Sequence, residues 1–193
     1  MPKINNVEIY GVNLKERIKI MRIIEDATIK NIFSIKRLDL KSNFDTLNFI
    51  EKFEIFKKYP STLKIKIKKT KFVALTKKNG IDYFIGSNGK LIEKNDSILE
   101  LPYVFGVLDV EEFLKFKNQI DKSNFNFNQI SNFYFYKSKR WDIETTQGNI
   151  IKLSKDNIEK NLNLFVSLYK ENRFKDSLII DFRQKNQIIL DEK

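Results

Sequence analysis

Residues 62–71 read TLKIKIKKTK, with Leu63, Ile65 and Ile67 alternating with Lys64, Lys66 and Lys68. A period of two sends successive side chains to opposite faces, so this stretch fits a half-buried strand and no helix. The apolar face would continue through positions 69 and 71, but both are Lys. The buried face stops there, and residues 68–71 read as a seam between two units, 1–70 and 71–193.

The first unit reads strand, helix, helix, strand, strand. A strand over residues 4–10 ends at Gly11. Asn13 and Glu16 have the spacing of a capping box, in which each side chain satisfies a backbone amide at the helix start. Leu14, Ile18 and Met21, widened by Ile20, Ile24 and Ala27, form that helix's apolar stripe. Leu40, Phe44 and Leu47 recur at helical spacing. Phe53 and Ile55 alternate in a strand, Tyr59-Pro60-Ser61 turns the chain, and residues 63–67 return antiparallel. Pro60 lies outside the strands because it has no amide to give a ladder.

The second unit opens as a meander over residues 72–76, 81–86 and 90–92. Its strands are separated by Asn79-Gly80 and Asn88-Gly89, the strongest short hairpin signal. A helix follows Leu101-Pro102, opened by Asp109 and Glu112, with Val110, Phe113, Leu114 and Ile120 inward. Strands are expected at 133–136, 140–145 and 150–153, the last two joined across Gln147-Gly148. Asp156 and Glu159 start a helix carrying Ile158, Leu162, Phe165 and Tyr169. Residues 178–182 and 187–190 close the chain as strands. Residues 125–129 are polar and loosely patterned, and proteolytic nicking is expected at residues 121–130 or at the termini before the strands. The fold class is therefore α+β, with a β-α-α-β-β unit before a mainly antiparallel β-domain with two helices.

Composition narrows function. The chain has no Cys and no His. Disulfides and thiolate chemistry are excluded, and so are the commonest general base and nitrogen metal ligand. The glycine spacing of phosphate-binding loops is absent, and Asn88-Gly89-Lys90 reads as a hairpin. Glu111 and Glu112 suit the positive end of a helix and lack a second acid across a cleft. No catalytic residue, cofactor or metal is expected. The net charge is +11, but Arg supplies only six of 36 basic residues, and Arg is the residue that forks onto bases and phosphates. No apolar run reaches the roughly 18 residues of a membrane span.

Several segments together resemble the FtsQ/DivIB family of bacterial cell-division proteins. Gly11, Asn31-Ile32-Phe33, Tyr59-Pro60-Ser61-Thr62-Leu63 and the strand after it look like a POTRA domain. Leu101-Pro102, Arg140-Trp141-Asp142-Ile143, the Gly148 turn and Asp181-Phe182-Arg183 look like the β-domain that follows. The resemblance implies a non-enzymatic scaffold that binds FtsB- and FtsL-type division proteins and links early and late components of septum formation. It implies a periplasmic position, on the outer side of the cytoplasmic membrane, and an anchor helix that these 193 residues do not contain. Other division proteins would meet the POTRA domain. The resemblance also implies strand addition by an FtsB-type segment at the last strand. That assigns partner binding to Arg183, Gln184, Gln187, Ile188, Ile189 and Leu190, with Gln184 where the family often has an aromatic. Proline at Ile188 or Ile189 would probe the edge.

Several of these features also have plainer readings. The lysines of residues 64–68 suit the solvated side of a sheet, or attraction to anionic lipid. Trp141 suits the core or rim of a small β-domain. Asp181 and Arg183, two apart, suit a cross-strand ion pair or a partner contact. A lysine-rich nucleic-acid-binding protein and a POTRA module of a translocation or assembly factor stand as alternatives; the first would want aromatics among the lysines for stacking.

Overall fold

The computed structural model describes residues 4–28, 36–95, 98–107, 109–171, 173–174, 178–184 and 187–192. The chain separates into two compact units, Met1–Lys71 with Gly86–Ile92, and Phe72–Ile85 with Glu93–Lys193.

The first unit runs β1 (Asn6–Tyr10), α1 (Leu14–Thr28), α2 (Arg37–Phe44), β2 (Ile50–Lys58) and β3 (Thr62–Lys69), the expected β-α-α-β-β order. β3 lies between β1, to which it runs parallel, and β2, to which it runs antiparallel. Its alternation works as a burial code: Leu63, Ile65 and Ile67 are buried while Lys66 and Lys68 are exposed. Phe44 meets Phe53 edge to face at 4.8 Å within that core. The capping box closes both ways, with the Glu16 amide donating to Asn13 Oδ1 and the Asn13 amide to Glu16 Oε2, each at 2.9 Å.

The stripe of α1 differs from expectation. Ile20 and Ile24 are fully buried, whereas Leu14 and Ile18 are 73% and 47% exposed. Apolar residues cover so much of this helix that periodicity alone cannot choose the face; contact with the sheet chooses it. The Ala27 side chain and Asn31-Ile32-Phe33 lie outside what the structure describes. Gly11, at φ +87°, is required because a Cβ there would sit 2.0 Å from the Ile67 carbonyl oxygen. Residues 86–92 join this unit through polar contacts: Asn88 Nδ2 donates to the carbonyls of Asn48 (2.8 Å) and Ile50 (3.0 Å).

After β3 come β4 (Phe72–Lys78), β5 (Ile81–Gly86), β6 (Leu91–Glu93, of which Leu91 and Ile92 belong to the first unit), β7 (Tyr103–Gly106) and α3 (Val110–Lys122). After a short 3-10 turn come β8 (Ile130–Phe135), β9 (Trp141–Thr145), β10 (Ile150–Lys152), α4 (Ile158–Lys170), β11 (Leu178–Asp181) and β12 (Ile189–Glu192). The nine strands order as β12-β11-β10-β9-β8-β7-β4-β5-β6. β8–β9, β9–β10 and β11–β12 pair antiparallel, while β4–β7, β7–β8 and β10–β11 pair parallel. α3 and α4 bury Phe113, Phe116, Ile120, Ile158, Leu162 and Phe165. Trp141 is a core residue, stacked on Phe116 at 4.8 Å and on Phe135 at 4.4 Å. The Asn79-Gly80 turn has positive φ at both residues, as a tight hairpin turn of the mirror-image type requires.

Four local expectations need correction. β7 was not anticipated: it is only four residues long and ends at Gly106. Sitting parallel between β4 and β8, it has no hairpin turn to announce it. The loose pattern of residues 125–129 hides local structure, since Phe125 is buried and Asn126 accepts from the Asn128 amide to start the 3-10 turn. The cap of α4 is Asn157, in the left-handed region and without a side-chain cap bond, so Asp156 does not serve. At α3, Asp109 accepts from the amides of Glu111 and Glu112, but the Glu112 side chain pairs with Lys115.

Candidate partner-binding edge

The last strand is Ile189–Glu192, two residues later than expected. Its register is fixed by β11, with Ile189 opposite Asp181, Leu190 opposite Ile180 and Asp191 opposite Ile179. β12 ends the sheet order and, among the described residues, pairs with β11 alone.

The ladder reveals which backbone groups of β12 remain outward. The Phe182 amide donates to the Lys152 carbonyl at 2.9 Å, across the parallel β10–β11 pairing. Main-chain groups alternate sides along a strand, so those of Ile179 and Asp181 face β12. Asp181–Ile189 and Ile179–Asp191 are then the hydrogen-bonded pairs, and the main-chain groups of Leu190 and Glu192 face away from the sheet. Ile189 therefore spends its amide inside the ladder, and Leu190 is the position whose amide a proline would remove without touching β11. Side chains complete the edge, since Ile189 and Leu190 are 46% and 47% exposed.

Arg183 lies just beyond β11. Its Nε donates to both carboxylate oxygens of Asp181 at 2.8 Å, its terminal nitrogen also bonds that carboxylate, and its own amide donates to Asp181 Oδ1 at 2.9 Å. The pair is thus local, two residues apart at a strand end, and not the cross-strand pair that the spacing suggested. The Arg183 guanidinium holds the Asp181 carboxyl below its usual range against a smaller opposing effect of burial. The same bond raises Arg183 further.

A second pair faces the same way. Asp142, Lys152 and Asp181 stand side by side across β9, β10 and β11. Asp142 takes a 3.2 Å hydrogen bond from Arg140 Nε. Burial dominates at Asp142 and pushes its carboxyl up, with Arg140 acting in the opposite sense. Arg140-Trp-Asp142 and Asp181-Phe-Arg183 share an i, i+2 charge spacing, and in each an Arg just outside the strand bonds back to the strand's Asp. That spacing was the available signal for adding Arg140 and Asp142 to the expected residues.

Arg183, Gln184, Gln187 and Ile188 line one groove of about 750 Å³ beside the start of α4, together with Ser154, Asn157, Lys160, Asn161 and Leu164. The structure thus divides the expected residues between two neighbouring features: Ile189 and Leu190 on the strand, the other four on the groove. The α4 side of that groove had no signal in residue spacing, because it depends on where α4 lands. Among the described residues, no cluster of acidic side chains suits a metal ion, and no helix is long and apolar enough to cross a membrane.

Residues 74–183 match the family described as Cell division protein FtsQ/DivIB, C-terminal. The chain is also similar to the cell division protein FtsQ of Rickettsia bellii (strain RML369-C), with 24% identity over 98% of this chain and 72% of that protein. FtsQ of Rickettsia felis (strain ATCC VR-1525 / URRWXCal2) gives the same identity and coverage. Among solved structures, the major extracytoplasmic domain of the trans isomer of DivIB from Geobacillus stearothermophilus aligns at 11% identity and a TM-score of 0.39, covering 56% of this chain and 99% of that one. With more than half of its length matched by the family, including β4 to β11 and both charge pairs, the chain belongs to the FtsQ/DivIB family of cell-division proteins.

Proposed function

We propose that this chain is a non-enzymatic scaffold of the division machinery, taking an extended segment of an FtsB/FtsL-type partner as an added strand on β12. The observation that carries the reading is the edge itself. Outward main-chain groups at Leu190 and Glu192 offer a template, and half-exposed Ile189 and Leu190 offer apolar anchors. Asp181 holds the Arg183 guanidinium in place beside the groove, so a partner carboxylate meets an oriented donor. By the same reading the β-α-α-β-β unit is a POTRA domain for other division proteins, and the protein works on the extracytoplasmic face of the cytoplasmic membrane. The family's division role favours this over the nucleic-acid and translocation alternatives.

Binding of a synthetic FtsB-type peptide, followed by calorimetry with circular dichroism as folding control, tests the reading. Leu190→Pro removes an outward amide and leaves the β11 ladder, so it should stay folded and bind at least about tenfold more weakly, the loss of one main-chain bond and its register. Arg183→Glu should weaken binding more than Lys64→Glu, which lies in the other unit. A well-folded Leu190→Pro that binds like the parent means that the partner does not add at this edge.

A further inference from the structure

The three-stranded sheet of the first unit buries one side beneath α1 and α2 and leaves the other exposed. The register places Glu8, Lys64 and Phe56 in one cross-strand row, Tyr10, Lys66 and Glu54 in the next, and Lys68 beside Lys52 in a third. Lys58 stands at the opposite end, beside Thr62. Five lysines thus share a face with two glutamates. Among the described residues none of these five lysines forms an ion pair. Glu8 instead accepts from the Tyr10 hydroxyl at 2.9 Å.

The charge is concentrated on this unit as a whole. Residues 1–71 hold 17 Lys and Arg against 8 Asp and Glu, whereas residues 72–193 hold 19 against 17. Nearly all of the net charge of +11 therefore lies before the seam. Such asymmetry points to a polyanionic surface.

We propose that this open face docks on a bilayer surface rich in anionic phospholipid, independently of strand addition at β12. The cations of the face are all Lys. These are flexible point charges, suited to laterally mobile headgroups and lacking the rigid fork that recognises a fixed phosphate or carboxylate. Lys64 and Lys68 are four strand positions apart, about 13 Å, so the patch meets several headgroups at once. Tyr10 and Phe56 are 47% and 45% exposed within it, and Tyr is favoured at headgroup depth. Lys64 lies 4.8 Å from the Tyr10 ring centre and Lys66 5.2 Å from that of Phe56. Those ring faces are already covered by ammonium groups, which speaks against base stacking and hence against nucleic acid.

The test is cosedimentation of the full chain with vesicles of phosphatidylglycerol and phosphatidylcholine in equal parts, against phosphatidylcholine alone. Binding should require phosphatidylglycerol and weaken as salt rises. The combined variant Lys64→Gln, Lys66→Gln and Lys68→Gln should lower partitioning on the order of 100-fold, from roughly fivefold per lysine. The combined variant Lys77→Gln, Lys122→Gln and Lys155→Gln removes the same charge from the other unit and should bind like the parent. Phe56→Trp should shift its emission to the blue on adding the anionic vesicles, after subtracting the signal of buried Trp141. Equal binding to neutral vesicles, an equal loss in both triple variants, or an unshifted Phe56→Trp overturns the proposal. Tighter binding to duplex DNA or to polyglutamate at the same salt also overturns it, by making the face a nucleic-acid or acidic-protein surface.

Discussion

The two open sheet faces of this protein are decorated on opposite principles. On the first unit, Lys52, Lys58, Lys64, Lys66 and Lys68 project without ion-pair partners among the described residues. On the second, charge is matched in place: Arg140 with Asp142, Arg183 with Asp181, and the Tyr134 hydroxyl donating to Glu144 at 2.6 Å. Burial, and then that bond to Glu144, pushes the Tyr134 hydroxyl up to about 12. A face whose polar groups satisfy one another has little left for a ligand, which is why we propose recognition at its edge. A face of unmatched lysines keeps its full field for whatever lies outside it.

The difference within the second sheet, core side against open side, should show most strongly at two aromatics. Phe133 is fully buried against Phe113 and Phe116, whereas Phe105 on the other side is 44% exposed. Phe133→Ala should cost about 3–5 kcal/mol in urea unfolding, and Phe105→Ala less than about 1 kcal/mol. Comparable losses would mean that the open face is packed in solution.

The matched charges predict pH effects of opposite sign at two neighbouring carboxylates. Asp181 is held below its ordinary 3.8, so its contribution is present above that pH and is lost as pH falls through the lower folded value. Asp181→Asn should therefore cost about 1–2 kcal/mol near neutrality, with the gap to the parent closing in acid. Asp142 is raised above 3.8, so its carboxylate form burdens the fold increasingly as pH climbs from 3.8 through the folded value. Stability curves of Asp142→Asn should lack that decline. Parallel curves for the two variants would remove the distinction between an Arg-dominated and a burial-dominated acid.

The smallest effect belongs to the lysine face. Replacing Lys64, Lys66 and Lys68 by Gln should change folding stability by no more than about 0.5 kcal/mol, because surface charges that form no ion pair contribute little to the fold. A large loss in thermal or urea unfolding would show that these side chains serve the sheet itself through their contacts with Tyr10 and Phe56.

Much of the architecture was legible because its causes are local. The capping box at Asn13 and Glu16, the Asn79-Gly80 turn and the alternation of β3 each bind or bury residues a few positions apart. The last strand as an edge was legible too, with its bounds two residues early because Gln187 and Ile188 have strand-like neighbours but no partner on β11. What escaped was set by distant contacts. The buried face of α1 depends on the sheet, β7 exists between strands far away in sequence, and the groove forms where α4 meets Arg183, Gln184, Gln187 and Ile188.

Local pattern alone carried the α+β class, the five-element order of the first unit, the lysine face and the charge spacing of Arg140–Asp142 and Asp181–Arg183. Periodicity, caps and turns act over one or two turns of chain, and those are readable in order. Folding alone placed β12 beside β11 at the end of the sheet and turned the amide of Leu190, not that of Ile189, outward. Those outcomes depend on register between distant strands, where a shift of one residue exchanges inward for outward, and no local pattern encodes that choice.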